Sequence, residues 1–398
     1  MNIALVHDDL MQAGGAERVV ASMHGLYPKA PIYTALCDHK ALLSELADAT
    51  IHTSYMQNWP LATGKLHKLA LPHFPAAFED FDLNGYDVVL SSSSRFAKGV
   101  ITSPETCHIC YCHSPARFAW RHHEYLAQNR TTRLLAPLLR GMLSDLRAWD
   151  VASSQRVDYF LANSYNVARR IKKYYGREST VINPPVQTGK YKPADPGSVG
   201  DHFLVVSRLV GYKRVDLAVQ ACNKIGAELR VIGTGPELDA LKGIAGPTIK
   251  LLGRLPDAEV AREYSQCKAF IFPGEEDFGL TPIEAMASGR PVVAYGRGGA
   301  LETVIEGKTG VFFREQTADA LAKALQHVRS MTIFPEALQA YSQTFDTSVF
   351  HDKLQRFVQN ASEEHKEAME RISPDRGNSE VLFPATMEFE FSRTDRRA

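Results

Sequence analysis

The sequence predicts an α/β protein made of two Rossmann-like domains that face each other across an interdomain cleft. Three observations carry this expectation. Short β-branched runs alternate with helically spaced apolar residues along most of the chain, the rhythm of a parallel sheet covered by helices. Roughly over residues 180 to 200, TVINPPVQTGKYKPADPGSVG is rich in Pro and Gly and follows neither period, and beyond it the rhythm starts again. The chain has 398 residues and 44% hydrophobic content, more than a single core usually organises.

The elements follow in order. NIALVH is the first strand; it enters a Gly-rich turn, after which Val19, Val20, Met23, Leu26 and Tyr27 recur at helical spacing. PIYTAL, YDVVLSSS, HICYC and VDYFLANS read as further strands, the last opening a helix with Val167, Ala168, Ile171 and Tyr175 on one face. After the linker, HFLVVSR, LRVIGTG, IKLLGRL, KAFIFPG, RPVVAY and GVFF read as strands separated by helical segments. Phe350, Leu354, Phe357, Val358 and Ala361 form the apolar stripe of a last helix that Asp346 or Thr347 could cap. Beyond Ile372 the chain is polar and irregular, which predicts a mobile tail, although MEFEF alternates like a short strand. The expected division is 1–186 for the first domain, 187–200 for the linker, 201–344 for the second domain, 345–372 for the last helix and 373–398 for the tail.

Composition narrows the function classes. Forty-five basic and forty-five acidic residues cancel, so the chain lacks the overall positive field that nucleic-acid binding favours. Six cysteines, three of them in one short segment, do not form the spaced framework of a small secreted domain, and reduced thiols in the cytoplasm are expected. The N-terminal apolar run has no basic flank, and no stretch of ~18 apolar residues occurs, so neither a secretory signal nor a membrane span is expected.

CHICYCHSPARF, residues 107 to 118, places three cysteines and two histidines within seven positions. A strand through residues 108 to 112 puts Cys110 and Cys112 on one face, with Cys107 near its start and His113 at its end. Four ligands converging on one ion are hard to draw from that layout, so no metal site is expected. No basic partner or helix N-terminus adjoins a cysteine either, so buried, inert thiols are the expectation. His113 falls where the strand meets the cleft.

Ligands of open α/β sheets bind beyond the carboxyl ends of the strands, so the chemistry should sit just after them. In FPGEEDFGLTPIEAMASGRP a strand ends at Pro273, an acidic Gly-containing loop follows, and a helix is expected with Thr281 as N-cap and Pro282 at its first position. Free N–H groups around Phe278, Gly279 and Leu280 would suit a phosphate. Glu276 on the loop and Glu284 on the helix could accept hydrogen bonds from sugar or ribose hydroxyls; Glu284 could equally close a capping box onto Thr281. In SRLVGYKR, Arg208 offers a planar fork and Lys213 a compact charge that together could neutralise a diphosphate. Read alone, each also fits a solvated surface residue. GTGPE at 233 to 237 is a Gly turn without the dinucleotide pattern, and the early GGAE, Gly14 to Glu17, is a helix start that could approach an anion.

This combination resembles the retaining glycosyltransferases of family 4, which have the GT-B fold, over nearly the whole chain up to about residue 370. The resemblance rests on E-x7-E enclosing FGL, S-R-L…K after a strand, IGTGPE, VINPPV and GGAE. It implies that a nucleotide-sugar lies against the second domain and the acceptor against the first. Arg208 and Lys213 would then hold the diphosphate, Glu276 the hydroxyls of the transferred sugar and Glu284 the ribose. Phe278, Gly279 and Leu280 would present backbone N–H groups, Gly15 would approach the phosphates from the first domain, and His113 would contact the transferred sugar. The last helix would cross back onto the first domain. Asp80-Phe-Asp82 superficially matches a metal-binding D-x-D, but it precedes a strand rather than following one, so no metal or other cofactor is expected.

SPARFAWRHHEYL and R-A-W-D at 147 to 150 resemble a subset of that family, the bacterial mannosyltransferases that build O-antigen and exopolysaccharide units on a lipid carrier. This makes GDP-mannose the leading donor and a glycolipid or oligosaccharide the acceptor. From Arg117 to Arg147 six arginines stand against two acids, Glu124 and Asp145, interleaved with leucines. That segment either lies on an anionic inner-membrane surface or is a core helix with a solvated face. Other classes remain open from sequence: a UDP-sugar transferase, a non-catalytic nucleotide-sugar-binding subunit, or an epimerase of the same fold.

Overall fold

The structure is a computed structural model, and it describes residues 1–59, 67–120 and 136–372. The described residues form two wholly parallel sheets. The first contains β1 (Ile3–His7), β2 (Ile32–Thr34), β3 (Ile51–Thr53), β4 (Val88–Ser93), β5 (Cys107–Cys112), β6 (Tyr159–Ala162) and β7 (Thr180–Val181), in the order 3-2-1-4-5-6-7. The second contains β8 (Phe203–Val206), β9 (Leu229–Ile232), β10 (Ile249–Gly253), β11 (Ala269–Phe272), β12 (Val292–Tyr295) and β13 (Gly310–Phe313), in the order 10-9-8-11-12-13. Each order reverses once, between β1 and β4 and again between β8 and β11. A crevice opens at such a switch point.

The central strands explain why the sequence was readable. β1, β4 and β5 are buried along their whole length because helices cover both faces, so their sequences are unbroken apolar or small runs. On one side Leu5, Leu90 and Ile109 pack with Val19 and Met23 of the helix Gly15–Leu26; on the other Val6 and Val89 pack with Phe74 and Phe78. The second sheet is covered likewise, by Leu217 and Leu321 on one side and by Ile283 and Met286 on the other. β3 and β7 fall outside the strands expected from the sequence. Both are short and lie at the sheet edges, where little burial is required, and β7 occupies part of the stretch whose composition reads as linker.

Helix ends follow the local chemistry. Ser164 caps the helix Tyr165–Tyr175 by accepting from the Val167 N–H at 3.1 Å, and Gly176 ends it in a left-handed conformation with φ 70°. The last helix, Thr347–Ile372, is capped by Asp346, whose Oδ1 accepts from the Ser348 N–H at 3.0 Å. At ~1.5 Å per residue it is long enough to leave the second domain and run across the first. Phe350, Leu354, Val358 and Ala361 join the core beneath β1 and the helix Gly15–Leu26, so this helix returns to the first domain. Where it departs, Val186 and Asp346 form a parallel bridge, and the Asp346 carboxylate also accepts from the Thr188 hydroxyl at 2.5 Å. The two passages of chain between the domains are therefore tied side by side.

All six cysteines are free and buried. Cys110 and Cys112 share one face of β5, packed with Val157 and Phe160, while Cys107, Ile109 and Tyr111 face the other core. Burial pushes the Cys107 and Cys110 thiols up to about 12, which suits inert side chains. Among the described residues no helix is long and apolar enough to cross a membrane.

Candidate active site

The loops after β8 and β11, at the second switch point, bring Lys213 and Glu276 together. Lys213 Nζ forms an ion pair with Glu276 Oε2 and lies 5.4 Å from the Tyr212 ring centroid. Immediately after Lys213 the backbone of Arg214 takes φ 52°; no other non-glycine residue among those described has positive φ. Bonds from its guanidinium to both Asp216 carboxylate oxygens, at 3.1 and 3.0 Å, accompany that strained turn. Arg208 is exposed and reaches the first domain: its Nη1 donates to Gln12 Oε1 at 3.2 Å and its Nη2 to the Tyr212 hydroxyl at 3.4 Å.

The helix after β11 corrects one expectation. It runs Leu280–Ala287, and its N-cap is Gly279 rather than Thr281. Gly279 adopts φ 94°, and a Cβ there would stand 2.6 Å from Phe272 Cζ, so the position requires glycine twice over. Among the described residues no acceptor faces the N–H groups of Phe278 or Gly279, leaving both donors at the helix start. Leu280 is the first helical residue. With the helix starting earlier, Glu284 lies too far in for a capping box; instead its Oε2 accepts from the Tyr264 hydroxyl at 2.9 Å. Burial raises the Glu284 carboxyl above its usual range, while hydrogen bonds from Tyr264 and Tyr191 and the charge of Arg18 act against that rise.

The first domain presents its own switch point to this loop. Gly15 opens the helix Gly15–Leu26 directly opposite: a Cβ on it would lie 3.3 Å from Leu280 Cδ1. Beside it a cavity of about 560 Å³ is lined by His7, Asp9, Glu17, Arg95 and, from the second domain, Arg208. Its charges are arranged by the backbone. Burial would raise the Asp8 carboxyl, but Arg95, His7 and the N–H groups of Ala97 and Phe96 outweigh it and hold the group below its usual range. Arg95 pairs with Asp9, and burial pushes the Glu17 carboxyl up. His113 follows β5 at the same end, its Nε2 2.8 Å from Ser92 Oγ. Burial drives its imidazole down to about 3, so it is neutral at ordinary pH.

Several residues at the site carry no motif. Asp277 is buried between the domains and takes two arginines from the first, Arg117 and Arg170. Glu302 of the second domain accepts from the N–H groups of Tyr165 and Asn166, both at 2.7 Å, at the start of the helix Tyr165–Tyr175. Arg117, at the start of the basic 117–147 segment that reads either as membrane-facing or as a core helix with a solvated face, is an interdomain residue, and within the same segment Leu143 is fully buried. Residues 121–135 of that segment, and the tail 373–398, lie outside the described residues. Asp82 accepts from the Asn84 N–H at 3.1 Å ahead of β4, at the end of the sheet away from the cleft. Among the described residues one trio of potential metal-ligating atoms lies within 4.8 Å, on Cys107, Asp158 and His365, also away from the cleft.

Comparison with known proteins places this arrangement. Residues 199–345 match the family model described as Glycosyl transferases group 1. Over these residues the chain is similar to group 1 glycosyltransferases. The matched stretch contains Arg208, Lys213, Glu276, Phe278, Gly279, Leu280 and Glu284. A glycogen synthase of Pseudomonas syringae pv. tomato is 26% identical over 218 residues, covering 50% of this chain and 42% of that protein. A GDP-mannose-dependent alpha-(1-6)-phosphatidylinositol monomannoside mannosyltransferase of Mycolicibacterium smegmatis is 31% identical over 174 residues, covering 36% and 45%. The alpha-1,3/1,6-mannosyltransferase alg2 of Schizosaccharomyces pombe is 24% identical over 422 residues, covering 90% and 78%. The matches to the first two thus span less than half of each relative's length. Anabaena Alr3699/HepE, solved with UDP-glucose, superposes with a TM-score of 0.67 at 17% identity, over 90% of this chain and 100% of that one. The fold is GT-B.

Proposed function

We propose that the protein is a retaining glycosyltransferase that moves a hexose, mannose from GDP-mannose as the leading donor, to a lipid-linked or oligosaccharide acceptor in bacterial surface-polysaccharide synthesis. The observation that carries this reading is the Lys213–Glu276 pair at the second switch point, beside the N–H groups of Phe278 and Gly279, which have no acceptor among the described residues. A diphosphate there would meet cations and backbone donors, and these stabilise charge most where water is excluded. With Lys213 drawn to phosphate, Glu276 is free to accept from sugar hydroxyls. Glu284, steadied by two tyrosines, would take the ribose, and His113 would contact the transferred sugar from the first domain. The acceptor would enter through the cavity lined by Asp9, Glu17 and Arg95, whose polar walls suit a polyhydroxylated molecule.

No metal is needed in this scheme, because Arg208, Lys213 and the backbone donors supply the positive field. The similarity to a GDP-mannose-dependent mannosyltransferase favours GDP-mannose, and that to the mannosyltransferase alg2 favours mannose as the sugar. A UDP-hexose is the second reading, favoured by the similarity to a protein solved with UDP-glucose. The enzyme would work in the cytoplasm, meeting a lipid-linked acceptor at the inner membrane surface.

Thermal-shift measurements with GDP-mannose, UDP-glucose, UDP-N-acetylglucosamine and their free nucleotides test the donor: stabilisation by the GDP compounds is expected, and a response confined to UDP compounds selects the second reading. Stabilisation without nucleotide release in the presence of any lipid-linked acceptor would point to a non-catalytic binding subunit. Sedimentation with anionic vesicles at low salt tests the membrane contact; protein remaining in the supernatant would refute it.

A further inference from the structure

We propose that His7 and Ser92 act as positioning residues that hold His113 in its Nδ1–H tautomer, leaving that N–H as a fixed donor at the mouth of the first domain. The three residues sit on or just beyond neighbouring strands, on one face of the sheet. His7 pairs with Ser92 across β1 and β4, Ser92 pairs with Tyr111 across β4 and β5, and His113 lies two residues beyond Tyr111, hence on the same side of the sheet.

The hydrogen-bond directions follow from what each atom can do. His7 Nδ1 lies 3.1 Å from the Ser92 carbonyl oxygen and 3.1 Å from Ser92 Oγ. A carbonyl oxygen only accepts, so His7 Nδ1 carries the proton and shares it between the two oxygens. Ser92 Oγ therefore accepts on that side. Its own proton has one remaining partner among the described residues, His113 Nε2 at 2.8 Å. That nitrogen must then be the bare acceptor, and the proton of the neutral ring is on Nδ1. Among the described residues no group hydrogen-bonds to Nδ1. Ser92 is fully buried and His7 nearly so, which keeps water from scrambling the chain of donors.

Toward a sugar, His113 would donate through Nδ1 to an oxygen that accepts. That role in catalysis rests on the proposed function; the tautomer does not.

The test uses the full chain labelled with 15N-histidine. Two-bond 1H–15N correlations distinguish the tautomers, and loss of one ring system in His113→Gln assigns the residue among fourteen histidines. The expected result is an Nδ1–H tautomer for His113, lost in Ser92→Ala and kept in Ser92→Thr. Turnover should fall about tenfold in Ser92→Ala, the value of one well-placed hydrogen bond, and return toward the original rate in Ser92→Thr. An Nε2–H tautomer in the unmodified protein would overturn the proposal, as would an unchanged tautomer in a folded Ser92→Ala. Should Ser92→Ala not fold, the unmodified protein and Ser92→Thr still decide the tautomer. An Nδ1–H His113 in a protein that binds no nucleotide-sugar would support the relay and refute the functional reading instead.

Discussion

Lys213 and Glu276 neutralise each other with side chains only 18% and 19% exposed. Removing one partner leaves the other charge half-desolvated, and donor binding loses a contact as well. Lys213→Ala and Glu276→Gln are each expected to lower turnover by ~10²–10³-fold, the cost of deleting one preorganised electrostatic contact. Nucleotide release under saturating donor measures it, with circular dichroism as the folding control; near-normal turnover in either variant would remove the pair from the chemistry. The buried histidines add a pH dependence. Burial lowers both His108 and His113 to about 3, so both stay neutral in the fold while the unfolded chain protonates near ~6.5. Their contribution is full above ~6.5 and is lost as pH falls towards 3, by at most ~1.4 kcal/mol per pH unit for each. Urea unfolding at pH ~7 and ~5 should show this decline, and His108→Gln should flatten it. Asp8, held below its usual range, contributes above about 4, so its loss belongs to a more acidic window. At this scale the sequence displays Arg208, Lys213 and Glu276 because they stand at fixed offsets after strands. It hides Ser92 and His7, whose significance comes only from strand register.

Gly279 shows how an element can be legible while its boundary is not. T-P-I-E carries a strong helix-start signal, yet the helix begins at Leu280 because Gly279 in its positive-φ conformation already turns the chain into it. Only the backbone angle, invisible in composition, decides between the two starts. For the same reason the central strands were readable from unbroken apolar runs, whereas β3 and β7, exposed at the edges, were not. The stripe Phe350, Leu354, Val358 and Ala361 shows a helix with a buried face, but its spacing alone does not say which domain receives that face. Gly279→Ala is expected to cost ~1–3 kcal/mol from backbone strain alone. It also presses a methyl 2.6 Å from the Phe272 ring. Thermal unfolding should register the loss, and adding Phe272→Leu should recover the steric part but leave the strain. A variant as stable as the original chain would show that the loop can re-form without a left-handed residue.

At the scale of the whole molecule, the charged contacts between the domains among the described residues centre on Asp277. Its two carboxylate oxygens are divided between Arg117 and Arg170, from separate helices of the first domain, while Arg170 also stands 3.8 Å from Glu275. Two cations thus share one buried carboxylate on the loop that carries Glu276, with Glu275 as a more distant partner of Arg170. Breaking such a pair from one side is costly because the remaining charges stay partly buried. Asp277→Asn keeps the shape but removes the charge, so the two arginines should repel each other and the domains should part. Small-angle scattering is then expected to show a larger radius of gyration for Asp277→Asn than for the original protein, while the unfolding midpoint of each domain changes little. Arg117→Gln and Arg170→Gln should each open the cleft less than Asp277→Asn, and the double variant should behave like Asp277→Asn rather than exceed it, since all three act on one contact. The Glu302 contact at the start of the helix Tyr165–Tyr175 is untouched by these changes and should keep the domains hinged rather than separated. Identical scattering from Asp277→Asn and the original chain would mean that the paired chain passages at Val186 and Asp346, not the charges in the cleft, set the angle between the domains.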